Sequence, residues 1–292
     1  MRVNSYKLQK AGDFWAMFFS HRMGRTGFLI FCFFIFLALF APILRTVPPE
    51  ISGSADRILT GPDGISWLGT DDLARDVWSQ VIFGSRVSLI IGFVTAIITV
   101  FTGTLVGLVA GFKGGIVDEI LMRIVDFFMM LPHLPLMIVL AAVMGASIWN
   151  IVIVISIVSW PSTARLVRSQ VLSLKERPFV EAIRCLGAND ITMMMSEILP
   201  NVFPVMFAQG VLMVTETIYA ESVLSFLGLG DPTTISWGTM LHFCFESGAM
   251  ARSPWWVFPP IVCIVSLIIS FSFLGTAVTD ILTPGYKEKM GY

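Results

Sequence analysis

Glu216 and Glu221 are the two carboxylates inside the otherwise uncharged stretch from Asn201 to about Leu224. An ionisable side chain at membrane depth is costly unless it meets water, a partner charge or a passing solute, so such residues are first suspected of lining a pathway. Glu216 has Thr217 beside it and Tyr219 one turn on. Together they form a short polar face suited to touching a polar substrate, and hydration at an outer interface is the plainer use of the same residues. Other chemistries find less support. His21, His133 and His242 are isolated and fit no H-E-x-x-H pattern, and Cys32, Cys185, Cys244 and Cys263 show no C-x-x-C spacing. The stretch "GFKGG", Gly111 to Gly115, lacks the spacing and the hydroxyl of a phosphate loop, and no G-x-x-x-x-G-K-[ST] occurs elsewhere. A membrane-embedded enzyme would need a convergent set of nucleophile, base or metal ligands inside the spans, and none is visible.

A second stretch, "RPFVEAIRCLGAND" from Arg177 to Asp190, is soluble-looking between greasy segments. Pro178 suits a first helical position and Gly187 the left-handed position just past a helix end. Phe179, Ile183 and Leu186 then fall at i, i+4 and i+7 on one apolar stripe, and Glu181 and Arg184 can pair on another face. Asn189 and Asp190 can cap a following helix. Such a stripe fits a partner's groove; lying against lipid headgroups is the equal alternative.

The elements that position these residues follow from composition. At 55% hydrophobic and 13% charged over 292 residues, with a mean hydropathy of +0.82, the chain is too apolar for a soluble domain. Its net charge of -1 gives no basic footprint for nucleic acid. Uncharged runs cover Thr26 to Leu44, Val87 to Phe112, Phe127 to Ala164 and Trp255 to Thr279. The third is long enough to be divided by "GASIWN" at Gly145 to Asn150, and Asn201 to Leu224 adds another span. Six membrane helices are expected, the first retained because no A-x-A-like site follows it. Fourteen of the nineteen Lys and Arg fall on one side of this arrangement, and five (Arg45, Arg57, Arg75, Arg86, Arg252) on the other. Basic residues are kept inside, so both termini are expected in the cytoplasm. "FWAMFFSHRMGR" before the first span reads as an interfacial anchor. Glu119, Arg123 and Asp126 are spaced as a salt-bridge ladder. Gly103, Gly107 and Gly111 have the small-x-x-x-small spacing of close helix contact, within the chain or with a second subunit. The acidic loop from Arg45 to Arg86 is suited to docking an external protein or to shielding the mouth.

"EAIRCLGAND…ILPN", Glu181 to Asn201, resembles the EAA signature of permease subunits in binding-protein-dependent ABC importers, with Glu181, Ala182 and Gly187 matching; Ile183 and Cys185 stand where small residues are usual. "FAPILRT", "GFKGGIVDEILMRIVDFFMMLP", "LSFLGLGDPTTISWGTML" and "PWWVFPP" resemble the shorter, C-type permease of the dipeptide, oligopeptide and nickel branch. So does "LGTDDLARDVWSQVIFGSRVSL", with Ala74 in place of a usual Gly and Gln80 of a usual Arg. "FLGTAVTD" departs from the branch near the end. The resemblance runs from Phe14 to Pro284.

It implies an all-α membrane protein of six transmembrane helices with the type I importer permease fold. Residues 1–25 would form the cytoplasmic interfacial segment, 26–86 the first span and external loop, 87–284 a five-helix core with the EAA loop at 165–201, and 285–292 a cytoplasmic tail. The short helix carrying Phe179, Glu181, Ala182, Ile183, Arg184, Leu186 and Gly187 would couple to one of two cytoplasmic ATPase subunits, which hold ATP and magnesium; this chain would hold no cofactor. A second homologous permease, an extracellular binding protein and membrane lipid are the other expected partners. Peptides are the default cargo of the branch, with nickel and oligosaccharides as alternatives. An ion-driven transporter would instead show inverted repeats with broken helices, and none is apparent.

Overall fold

The computed structural model describes residues 15–282, so the start of the interfacial segment and the expected tail at 285–292 lie outside the described residues. Apart from one antiparallel bridge between Thr70 and Asp76, the regular structure among the described residues is helical. Five helices are long and apolar enough to cross a membrane: α1 (Arg22–Leu44), α2 (Val77–Lys113), α5 (Ile148–Lys175), α7 (Asp190–Phe226) and α9 (Pro254–Leu282). The shortest has 23 residues, about 35 Å at 1.5 Å per residue, against a hydrocarbon core of about 30 Å. α3 (Gly115–Met130) and α4 (His133–Met144) are long and apolar enough only as a pair, bent by 90° at the break between them. α6 (Pro178–Cys185) and α8 (Trp237–Glu246) are short helices at opposite ends of the bundle.

The apolar run from Phe127 to Ala164 divides where Gly145 (φ 84) closes α4 and Ser147 opens α5. A second break, absent from the expected spans, lies at Leu131–Pro132. Leu131 is extended (φ -79, ψ 138), as the residue before a proline is driven to be, and Pro132 has no N–H to continue the ladder. α4 alone has 12 residues, about 18 Å, too short to cross.

α2 and α5 share the most extensive interface and run in the same direction, because Gly103 meets Trp160 and Thr163, Gly107 meets Ala164 and Val167, and Gly111 meets Arg168 and Val171. The small-residue stripe is therefore used within this chain. α1 runs antiparallel to α9, with Gly24 against Ala277 and Gly27 against Ser270; the Ser270 hydroxyl donates to the Gly27 carbonyl at 2.7 Å. Trp237 of α8 is fully buried against Gly84 and donates its indole N–H to the Val81 carbonyl at 2.9 Å.

The expected ladder on α3 is met in its first pair and corrected in its second. Glu119 and Arg123 pair at 3.8 Å with both side chains largely exposed, whereas Asp126 takes Arg165 of α5 at 2.6 Å. Asp118 takes Arg168 of α5 through two hydrogen bonds of 2.5 and 2.6 Å. Asp126 is thus spent on α5 and not on Arg123, so the ladder ends at its first pair.

Candidate functional site

α6 is bounded as its sequence dictates. Arg177 is the extended N-cap before Pro178 at the first helical position. Gly187 (φ 85) follows the helix end, and its N–H reaches the Arg184 carbonyl at 3.0 Å while the Ala188 N–H reaches that of Ile183 at 3.4 Å. Asn189 then accepts from the Thr192 N–H at 2.7 Å and starts α7, whose residues Met193–Ile198 form a π turn.

The expected stripe of Phe179, Ile183 and Leu186 does not stay on one face. Val180 is 1% exposed, and Ile183 is half-buried on the cluster formed by Val171 of α5 with Met193, Met194 and Ile198 of α7. These two anchor the helix to its own chain. Phe179 at 38% and Leu186 at 86% exposed project outward with Ala182, at i, i+3 and i+7. The reason is periodicity: four residues from 179 advance 400°, enough to carry Ile183 round toward Val180 in so short a helix. Glu181, Arg184 and Gly187 are exposed, and among the described residues no ion pair joins Glu181 to Arg184. Val180 lies outside the expected stripe, and its signal in the sequence is an apolar residue one turn before Ile183.

On α7, Glu216 and Tyr219 lie on the face turned away from this chain's own packing. Thr217 does not join them; it is buried, and its hydroxyl donates to the Met213 carbonyl at 2.9 Å. Glu221, one turn and a half further, is buried and receives the Ser225 hydroxyl at 2.8 Å. It borders a small niche with Asp231, Thr234, Ser236 and Thr239, which explains how a carboxylate is accommodated there without facing a pathway. Between α2, α7 and α9 runs an apolar groove of about 330 Å³ lined by Phe93, Phe101, Phe203, Phe207 and Phe271.

At the end opposite α6, the loop between α1 and α2 is folded on its own hydrogen bonds. The buried Asp71 receives the backbone N–H groups of Leu73 and Arg75 (2.9 and 2.8 Å), the Arg75 guanidinium (2.6 Å) and the Gln80 amide (2.8 Å). Asp76 caps α2 by accepting from the Ser79 N–H at 2.8 Å and holds the Thr46 hydroxyl at 2.6 Å. Burial, followed by the neighbouring Asp71 charge, raises the Asp72 carboxyl above the ordinary range. A polar pocket of about 210 Å³ at this mouth is lined by Glu50, Arg75, Gln80, Thr233 and Thr234 among others.

A membrane bundle with a short exposed helix at one end and a folded plate at the other has known counterparts. Residues 103–288 match the family described as binding-protein-dependent transport system inner membrane component. Residues 11–62 match the N-terminal TM domain of oligopeptide transport permease C. The chain is 33% identical to the oligopeptide transport system permease protein OppC of Bacillus subtilis (strain 168), over 98% of this chain and 93% of that one. It is 36% identical to the di/tripeptide transport system permease protein DppC of Pseudomonas aeruginosa (strain UCBPP-PA14), over 94% and 92%. In fold it resembles a chain of the inward-facing MetNI methionine ABC transporter, with a TM-score of 0.56 at 17% identity, covering 70% of this chain and 97% of that one. The chain therefore belongs to the binding-protein-dependent transport system inner membrane components, the membrane-spanning permease subunits of ABC importers.

Proposed function

We propose that this permease imports peptides, pairs with a second homologous permease, and is driven by two cytoplasmic ATPase subunits that receive α6. The single observation that carries the coupling role is the outward row of Phe179, Ala182 and Leu186 on a helix whose other side is anchored by Val180 and Ile183. Apolar side chains held rigidly beyond the bundle are suited to a partner's groove at low entropic cost. ATP and magnesium belong to those partners, in keeping with the lack of a phosphate loop. Closure of the ATPases on ATP displaces α6, and the π turn near the start of α7, against which α6 packs, transmits that displacement along the helix to Glu216 and Tyr219. Those two side chains line the pathway shared with the second permease. Coupling then consists of ATP binding biasing one of two bundle arrangements.

Peptide cargo is supported by the names of relatives that span nearly the whole chain. The plate at Arg45 to Asp76 faces the external binding protein, and both termini lie in the cytoplasm, in accord with the distribution of Lys and Arg. The test is uptake of a labelled dipeptide into vesicles carrying the chain with its co-encoded permease, ATPases and binding protein. Uptake should require ATP and persist when the ion gradient is collapsed. ATP-independent uptake lost with the gradient would refute the ATP-driven reading; ATP-driven uptake of nickel or an oligosaccharide in place of the peptide would refute the cargo alone.

A further inference from the structure

A cleft of about 540 Å³ opens beside α6, where α2 ends and α3 begins. Cations from three elements line it: Lys113 at the last turn of α2, Lys175 at the last residue of α5 and Arg184 on α6. Among the described residues none of the three is in an ion pair, and Asp190 is the only carboxylate in the lining. Lys175 donates to the Phe112 carbonyl at 2.5 Å and stands 3.8 Å from where a side chain on Gly114 would begin. This brings it to the start of α3, a 16-residue helix whose N-cap, Gly114, supplies no capping side chain. Asp118 in the first turn of α3 is held away by two hydrogen bonds from Arg168 of α5, and the free N–H groups of that turn add to the attraction for an anion. Gly114 and Gly115 have φ of 67 and 55, and a side chain on Gly115 would meet nothing within 4 Å, so the approach is open.

Apolar surface adjoins this positive cleft. Ile116 and Val117 are part of its lining and are exposed, as is Ile120 on the next turn of α3. A small anion would use the cations and leave that surface wet, and an acidic side chain of a docked subunit would arrive from the outward face of α6. A ligand with a negative head and hydrocarbon tails uses both parts. We propose that the cleft binds the phosphate headgroup of one anionic glycerophospholipid, which bridges the α2–α3 turn to α6. The proposal rests on this end of the bundle lying at the inner leaflet, which side-specific cysteine labelling reads on its own; in discs with identical leaflets the lipid measurement is independent of orientation.

The full chain, reconstituted in nanodiscs of phosphatidylcholine and phosphatidylglycerol, is released for native mass spectrometry. One phosphatidylglycerol should be retained in preference to phosphatidylcholine. Lys113→Gln with Lys175→Gln should reduce that retention by about fivefold for each charge removed. A photoreactive phosphatidylglycerol should label wild-type peptides containing residues 113–117 and 175–184, an outcome that needs no variant to fold. Equal retention of the two lipids, undiminished retention by the variant, or labelling confined to other helices overturns the proposal. Displacement of the lipid by roughly hundredfold excess inorganic phosphate would assign the cleft to a free anion instead. Displacement on addition of the ATPase subunits would assign it to a partner's carboxylate, and the lipid proposal would likewise fall.

Discussion

Phe179 and Ile183 are both apolar, four residues apart on one short helix, yet they face different tasks. Phe179 projects outward from the bundle and Ile183 holds α6 to the cluster of Val171, Met193 and Ile198. Phe179→Asp should therefore leave a stable, membrane-inserted permease that loses its ATPase subunits in pull-down. Truncating a central anchor often costs about 2 kcal/mol, roughly thirtyfold in affinity, and a desolvated charge adds to that. Ile183→Asp should instead lower thermal stability of the permease purified alone. Full ATPase retention by Phe179→Asp would remove α6 from the interface. The sequence gives the helix and its ends, because Pro178 and Gly187 act locally; it does not give the facing of Ile183, which depends on where α5 and the π turn of α7 lie. Ala74 is the converse case. Its departure from the usual Gly is visible in the sequence, and the physical cause appears in the backbone, where Ala74 has φ 56 and its carbonyl accepts from the Gly53 N–H at 3.1 Å. An L side chain in that region costs about 1–2 kcal/mol, partly offset by the greater freedom glycine loses on folding. Ala74→Gly should raise the melting temperature of the purified permease by roughly 1–3 °C. A fall would mean that the Ala74 methyl, buried beside Gly53, contributes more by packing than the strain costs.

Helices impose their own demands. The interface of α2 with α5 depends on backbones approaching where Gly103, Gly107 and Gly111 lack side chains. A Cβ on Gly107 would lie 2.9 Å from the Val167 Cβ and 3.0 Å from the Arg168 nitrogen, which neither helix can concede without moving. Gly107→Leu should cost about 3 kcal/mol or more and abolish monodisperse protein in size-exclusion chromatography. Gly210→Ala is the matched comparison, since its Cβ would meet only Val100 at 3.7 Å, an ordinary contact, and should be harmless. If both variants behave alike, close approach is not what the glycines serve. The spacing of these glycines was readable in the sequence, but whether they met a helix of this chain or of another was not, because periodicity names a face and not its neighbour. The broken third span was missed for a similar reason. Hydropathy sums over a window and passes over Leu131–Pro132, which lie in apolar sequence, whereas Pro132 acts at one peptide by removing a donor and forcing Leu131 into extended backbone.

At the scale of the whole chain, direction follows from which residues meet. α1 begins and α9 ends at the same end of the bundle, since Gly24 lies against Ala277. α2 and α5 both run toward the end that carries Lys113, Lys175 and α6. Geometry thus places Arg184 and the folded plate around Ile65 at opposite ends, and the proposed orientation, with the basic end in the cytoplasm, follows the distribution of Lys and Arg. Single cysteines at Arg184 and Ile65, both exposed positions, can be introduced after the four native cysteines are replaced. Ile65 is preferable to Asp63, whose carboxylate accepts the N–H groups of Ile65 and Ser66 at 2.9 and 2.5 Å and whose loss would loosen the plate. An impermeant maleimide added to intact cells should label Ile65→Cys and spare Arg184→Cys until the membrane is opened. Labelling of both from outside would break the bundle geometry itself. Labelling of Arg184→Cys alone would leave the fold intact but invert it, placing α6 where no ATP is available and removing the basis for coupling.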